Sequence, residues 1–446
     1  MKPRTLAASF VIAAATLVVI ARGSAQQTPS YRDVAVDAAK WIRSTRLQTT
    51  FGWTWPADPR DPKTVSTALY SGSPGVMLFL VELYNATGDR SYLDEARKGA
   101  DELMTKVPSE QGSGLYEGVA GLGFTLGEVW RVRKDETYRK TALRTVKILN
   151  DRAAAVGKGV QWSNTTDIIS GTAGIGLYLL YADEVLKDPT ARALAIRAGN
   201  RLLEQGTPEH GGLKWAMDPA SPRLMPNFSH GTAGISYFLA TLYKTTRDQR
   251  FLDGALAGAK YLLAIAKTEG DICLVQHDQP DGLDLYYLGW CHGPVGTARL
   301  FYQLSVVTGD KTWMTWVTKS ANGILKSGIP EQRTPGFWNN VSQCCGSAGV
   351  AQFFLDLYSV TNDAKYLSFA EKMTADLLAR ATRDVTGTRW VQAEHRVQPQ
   401  LLIAQTGYMQ GAAGIGMWLL RLDGAQRKRP PFIQFPDSPW GPPRTN

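Results

Sequence analysis

An all-α fold, an α/α toroid of seven helix pairs in inner and outer rings, follows from three features of this sequence. A Gly-x-x-Gly motif recurs seven times, a nearly all-apolar stretch follows the copies, and similar turn signals recur between the helices. The 446 residues are 44% apolar and 20% charged, enough to bury a large core. Four cysteines are too few for a disulfide scaffold. Lys and Arg exceed Asp and Glu by 49 to 40, but they are scattered and no basic run interleaves with aromatics, so a nucleic-acid partner is not expected.

The chain opens with Lys2 and Arg4, an apolar run from about Leu6 to Ile20, and small residues Gly23-Ser24-Ala25 ahead of Gln26. That pattern predicts a secretory signal peptide over residues 1–25 and an exported, periplasmic or extracellular protein. The run is long for a signal and short for a comfortable span, which leaves an uncleaved anchor as the alternative. Cleavage would remove Lys2, Arg4 and Arg22, lower the formal net charge from +9 to +6, and leave no stable membrane association.

Residues 26–428 are read as the toroid. A leading outer helix is expected from about Tyr31 to Arg46. The motifs then begin at Gly72, Gly118, Gly171, Gly231, Gly293, Gly346 and Gly411, separated by 46, 53, 60, 62, 53 and 65 residues. The stretches behind them, such as Val76 to Tyr84 and Val350 to Tyr358, are apolar on every side and so read as buried inner helices. Thr87-Gly88-Asp89, Thr308-Gly309-Asp310 and Thr361-Asn362-Asp363 can each close one helix and cap the next. Amphipathic outer helices follow; in the first, Leu93, Ala96, Ala100 and Leu103 form one stripe. No region shows sustained alternation, so strands are expected only as short pieces within loops. The Pro-rich tail, residues 429–446, is expected to lie extended over the surface without chemistry of its own.

The loops that end in Gly-x-x-Gly should gather at one end of the ring, with the inner-helix N-termini pointing at one axis. The residue before each motif then becomes the informative register: Ser71, Glu117, Ser170, His230, His292, Cys345 and Gln410. Cys291, Cys344 and Cys345 fall in or beside it in neighbouring repeats and can converge. A vicinal pair makes a strained disulfide, and three thiolates with a fourth position open is a catalytic zinc arrangement. Buried free thiols, or a bond from Cys291 to Cys273 or Cys344, are the alternatives. His230 begins an inner helix and is a candidate acid or base. Asp167, four residues before Gly171, could hold a histidine or cap its helix. His210, His277 and His395 lie in loops, where a histidine is usually solvated.

These motifs resemble the LanC (lanthionine synthetase C-like) family of cyclases over almost the whole chain after the signal. Trp290-Cys291-His292-Gly293 is similar to the family's Trp-Cys-x-Gly, and Cys344-Cys345-Gly346 stands where most members have Cys-His-Gly. The resemblance implies one zinc per chain on Cys291, Cys344 and Cys345, with His230 as acid or base and Asp167 orienting it. It also implies a peptide or small-thiol substrate, the thiol adding to a dehydroamino acid to form a thioether. No arginine precedes the Trp-Cys pair, unlike in many cyclases, and export would separate the chain from a cytoplasmic dehydratase. Two further classes stay open: a glycan-acting toroid enzyme, which needs two carboxylates at the mouth, and a non-catalytic zinc-containing binding protein. Glu117, Asp278, Asp281 and Asp284 are the acids available for the former, and a closed fourth ligand such as His292 would mark the latter.

Overall fold

The computed structural model describes residue 1, residues 29–221 and residues 223–441. The signal segment, residues 2–25, lies outside them. Outer helix α1 (Tyr31–Ser44) is followed by six inner–outer pairs: α2 (Ser73–Thr87) with α3 (Arg90–Lys106), α4 (Val119–Arg133) with α5 (Glu136–Arg152), α6 (Thr172–Tyr181) with α7 (Pro189–Gln205), α8 (Thr232–Thr246) with α9 (Gln249–Ile265), α10 (Pro294–Thr308) with α11 (Thr312–Leu325), and α12 (Ser347–Thr361) with α13 (Ala364–Ala379). Inner helix α14 (Ala412–Gln426) packs on both α1 and α2. Each inner helix touches the next and α14 returns to α2, so the toroid is closed. Among the described residues, no helix is long and apolar enough to cross a membrane.

One end of the ring is made of tight turns. Asp89, Asp135, Asp188, Asp248 and Asp363 each accept the backbone N–H two residues on and cap α3, α5, α7, α9 and α13. The residue that ends the preceding helix is left-handed: Gly88, Lys134, Arg247 and Asn362 all have positive φ.

The other end carries the long loops, with five antiparallel hairpins. These pair β1 (Leu47–Gln48) with β2 (Trp53–Thr54), β3 (Ala154–Val156) with β4 (Gly159–Gln161), β5 (Thr207–Glu209) with β6 (Gly212–Lys214), β7 (Ala381–Asp384) with β8 (Gly387–Trp390), and β9 (Gln392–Ala393) with β10 (Leu402–Ile403). Apart from Gly118, whose φ is 149°, the motif glycines here are required by crowding rather than by backbone sign. A Cβ on Gly296 would lie 2.0 Å from the Trp290 carbonyl oxygen, and one on Gly231 1.8 Å from that of Met225.

The loops join in a circle of backbone hydrogen bonds two residues ahead of the motifs. The carbonyls of Tyr70, Tyr116, Ile169, Ser229, Cys291, Cys344 and Met409 accept, in turn, from the N–H groups of Met409, Tyr70, Tyr116, Ile168, Ser229, Trp290 and Cys344. Every repeat contributes one acceptor, and the last repeat donates to the first. This belt fixes where the residues of the candidate site stand.

The tail does not lie over the surface. Ile433, Phe435, Asp437 and Trp440 are each at most 8% exposed, because the segment runs into the ring from the turn end. The reason lies in the inner helices, which are less uniformly apolar than their leading halves imply. Glu82, Arg299, Asp356 and Asp423 are buried on them, with Arg421 half-buried beside Asp356, and need partners. The tail supplies some: the Ile433 N–H donates to Glu82, Arg429 reaches Asp423 at 3.5 Å, and Asp437 pairs with Arg299 at 2.7 Å. Its aromatic rings stack on inner-helix and belt-flanking rings, Trp440 on Tyr302 at 4.0 Å and Phe435 on Tyr408 at 4.4 Å.

Candidate metal centre

A pocket opens at the loop end. Five of the seven register residues line it: Glu117, His230, His292, Cys345 and Gln410. Ser71 and Ser170 are not on its wall, although Ser170 Oγ donates to Glu117 at 2.9 Å.

The three cysteines converge. Cys291 and Cys344 are belt residues from adjacent repeats, tied by the Trp290 N–H to Cys344 carbonyl bond at 2.8 Å, and Cys345 follows directly. Cys345 Sγ lies 3.2 Å from Cys291 Sγ and 3.2 Å from Cys344 Sγ. All four cysteines are free thiols, which removes the disulfide alternatives, and Cys273 stands outside the trio. The three ligand atoms lie within 4.8 Å of one another, and His292 is not part of the group. Tetrahedral zinc with sulfur bonds of about 2.3 Å needs sulfurs about 3.8 Å apart, so a small spreading admits the ion.

The buried thiols already share charge unequally. Hydrogen bonds with Cys291 and Cys345 hold the Cys344 thiol well below its usual range. Burial pushes Cys291 up, and the hydrogen bond with Cys291 pushes Cys345 up. A dication relieves that competition because it lets all three ionise together.

His230 stands at the N-terminus of α8, and its Nδ1 lies 2.6 Å from Asp167 Oδ2. Asp167 is fully buried and its other oxygen accepts from the N–H groups of Ser170 and Gly171 at 2.9 and 2.8 Å. It therefore ties down the loop that enters α6, which has no side-chain cap, and holds the histidine. With Nδ1 engaged, Nε2 is left to exchange a proton with whatever occupies the pocket.

Three features are not legible from the motifs. His277 is buried rather than solvated, with its ring 4.4 Å from His292 and its Nδ1 3.1 Å from Asp278 Oδ1. Burial lowers the pKa of both histidines, that of His292 strongly. Arg223 and Arg396 also line the pocket, Arg223 paired with Asp278 and Arg396 3.3 Å from the Tyr287 hydroxyl. The cations absent ahead of Trp290 thus arrive from other repeats. Asp281 and Asp284 are exposed outside this wall, whereas Glu394 is on it.

A family model described as "Lanthionine synthetase C-like protein" matches residues 63–435. The chain is 21% identical over 319 residues to a Danio rerio protein named Glutathione S-transferase LANCL1, covering 70% of this chain and 73% of that one. Among solved structures, nisin cyclase superposes with a TM-score of 0.63 at 17% identity, over 88% of this chain and 94% of its own. An inactive variant of the GH76A alpha-1,6-mannanase of Salegentibacter sp. HEL1_6 gives 0.52 at 15% identity, over 88% and 99%. These likenesses carry the toroid, and the family match carries the membership.

Proposed function

The chain belongs to the lanthionine synthetase C-like family, and from that premise we propose that Cys291, Cys344 and Cys345 hold one zinc ion and that the pocket adds a thiol to a dehydroamino acid in a peptide. The observation that carries this reading is the buried trio of thiols within 4.8 Å on the wall of an open pocket, with no fourth protein ligand in the group among the described residues. Zinc held there supplies Lewis acidity that makes a substrate thiol ionise near neutral pH.

The chain's own residues supply the rest. Asp167 fixes the His230 ring through Nδ1, and His230 moves a proton through Nε2, either from the thiol or to the carbanion carbon left when sulfur adds. Arg223 and Arg396 place positive charge on the same wall, suited to a carboxylate or a developing enolate. Support for an exported protein comes from the apolar run behind Lys2 and Arg4.

The test is zinc content per chain after purification without added metal or chelator, with Cys344→Ala alongside. One zinc, lost in the variant, supports the site and leads to assays of thiol addition to dehydroalanine peptides. No zinc in the wild-type protein overturns it. A glycan-acting alternative draws on the pocket carboxylates Glu117 and Glu394 and on the mannanase-like fold. Both carboxylates are engaged, Glu117 by Ser170 and Glu394 by Gln405, and glycan cleavage abolished by Glu117→Gln would favour that reading.

A further inference from the structure

The C-terminal tail closes the ring from behind the metal pocket, and its deepest carboxylate touches the residue next to a zinc ligand. After α14, Arg427 pairs with Asp423 at 2.9 Å, and Arg429 donates to the carbonyls of Leu420 and Ala86 at 3.0 and 3.1 Å. These bonds turn the chain back into the central channel. Pro436 accepts from the Tyr237 hydroxyl at 3.4 Å. Asp437, 1% exposed, then accepts from Trp290 Nε1 at 3.1 Å and from Arg299 at 2.7 Å, and its own carbonyl takes a second bond from the same guanidinium nitrogen at 2.9 Å.

Trp290 is the partition. It lines the metal pocket on one side and the cavities around the tail on the other. The backbone N–H of Trp290 is in the belt, the next residue is Cys291, and the indole lies against Tyr116 and Phe228 at ring distances of 5.3 and 5.7 Å. An indole packed edge-on between two rings keeps its tilt only if its single polar atom is held. Asp437 holds it.

We propose that Asp437 is a positioning residue for Cys291: through the Trp290 indole, the C-terminal tail sets the placement of that thiol and seals the channel, so that the metal pocket has one mouth. Its carboxylate stays in place because Arg299 neutralises it, the two side chains being 1% and 11% exposed. Groups that orient a ligand from behind typically change metal affinity ten- to a hundredfold when lost. The inference rests on the three-thiolate reading, and its test separates the two.

The experiment compares the full-length wild-type chain with Asp437→Ala, Trp290→Phe, the double variant and Ile433→Ala. The readouts are zinc release to a chromophoric chelator, the thiolate-to-cobalt charge-transfer band after cobalt substitution, and iodoacetamide labelling of Cys291 in the metal-free protein. Asp437→Ala and Trp290→Phe should each release zinc about tenfold faster, with an altered cobalt band and altered Cys291 labelling. The double variant should match the single ones, because both break one link. Ile433→Ala, in the same tail but beside Glu82, to which its N–H donates, should lower the unfolding temperature and leave all three readouts at wild-type values. Wild-type behaviour in Asp437→Ala, or equal effects from Ile433→Ala, overturns the proposal. If the wild-type protein binds no zinc, the metal reading fails, and Cys291 labelling alone still decides whether Asp437 positions that thiol.

Discussion

The two ends of the ring pass the chain from one helix to the next in opposite ways. At the turn end, a left-handed residue and an Asp cap suffice, and the left-handed slot is filled by Gly88, Lys134, Arg247 or Asn362 without change of geometry. At the loop end, the links are long, the belt of hydrogen bonds fixes every repeat, and single atoms decide the outcome, such as the Asp167 oxygen that meets His230. Repetition at one end makes a scaffold whose parts are interchangeable. Divergence within the same register at the other end places chemistry on it.

That contrast predicts that loop-end variants change chemistry with little loss of stability, and turn-end variants the reverse. The largest effect is expected from Cys344→Ala, which should take zinc from one per chain to none by metal analysis and abolish thiol addition. A variant that retains the metal would break the contrast, since the register would then not be the source of the site. His230→Ala comes next. It should keep the zinc, keep KM near wild type, and lower kcat about a hundred- to ten-thousandfold, with one limb of the pH–rate profile lost. Loss of zinc instead would make His230 a ligand.

Glu82 sharpens the comparison from the tail side. Burial raises its carboxyl from 4.5 to about 7, so folding favours its protonated form. That contribution is present in full below about pH 4.5 and is lost as pH rises through about 7. Glu82→Gln should flatten this decline by about 3 kcal/mol, seen as an unfolding temperature less dependent on pH across that window. The smallest effect belongs to a cap. Asp89→Ala should cost about 1 kcal/mol in chemical unfolding and leave zinc content and turnover unchanged.

How much of this was legible in the sequence follows the same division. The helix order, the caps and the convergence of Cys291, Cys344 and Cys345 could be read because each depends on local pattern repeated at a known register. The leading helix stops at Ser44 rather than about Arg46, an ordinary fraying of the boundary. Asp167 is open in the sequence between cap and histidine partner, and it is the partner: one oxygen meets His230 and the other holds the loop ahead of α6, which has no side-chain cap. His277 and the pocket arginines were not legible. Their place depends on how loops of different repeats fold over one another, which has no period. The tail was misread from its prolines. The signal was present in Glu82, Arg299 and Arg421, charges within otherwise apolar inner helices, and in the Phe-Ile-Gln-Phe and Trp440 that could cover them.

The belt also has a consequence for how the molecule is made. Its last bond, from Met409 to Tyr70, and the packing of α14 on α1 and α2 join the two extremes of the polypeptide. A nascent chain emerging from the ribosome can pair its first repeats early but cannot complete the circle until the seventh has left the exit tunnel. Until then α2 presents an open flank with no neighbour, and the assembly stays an unfinished arc. Full cooperativity therefore waits for the seventh repeat, whose bond to the first completes the circle.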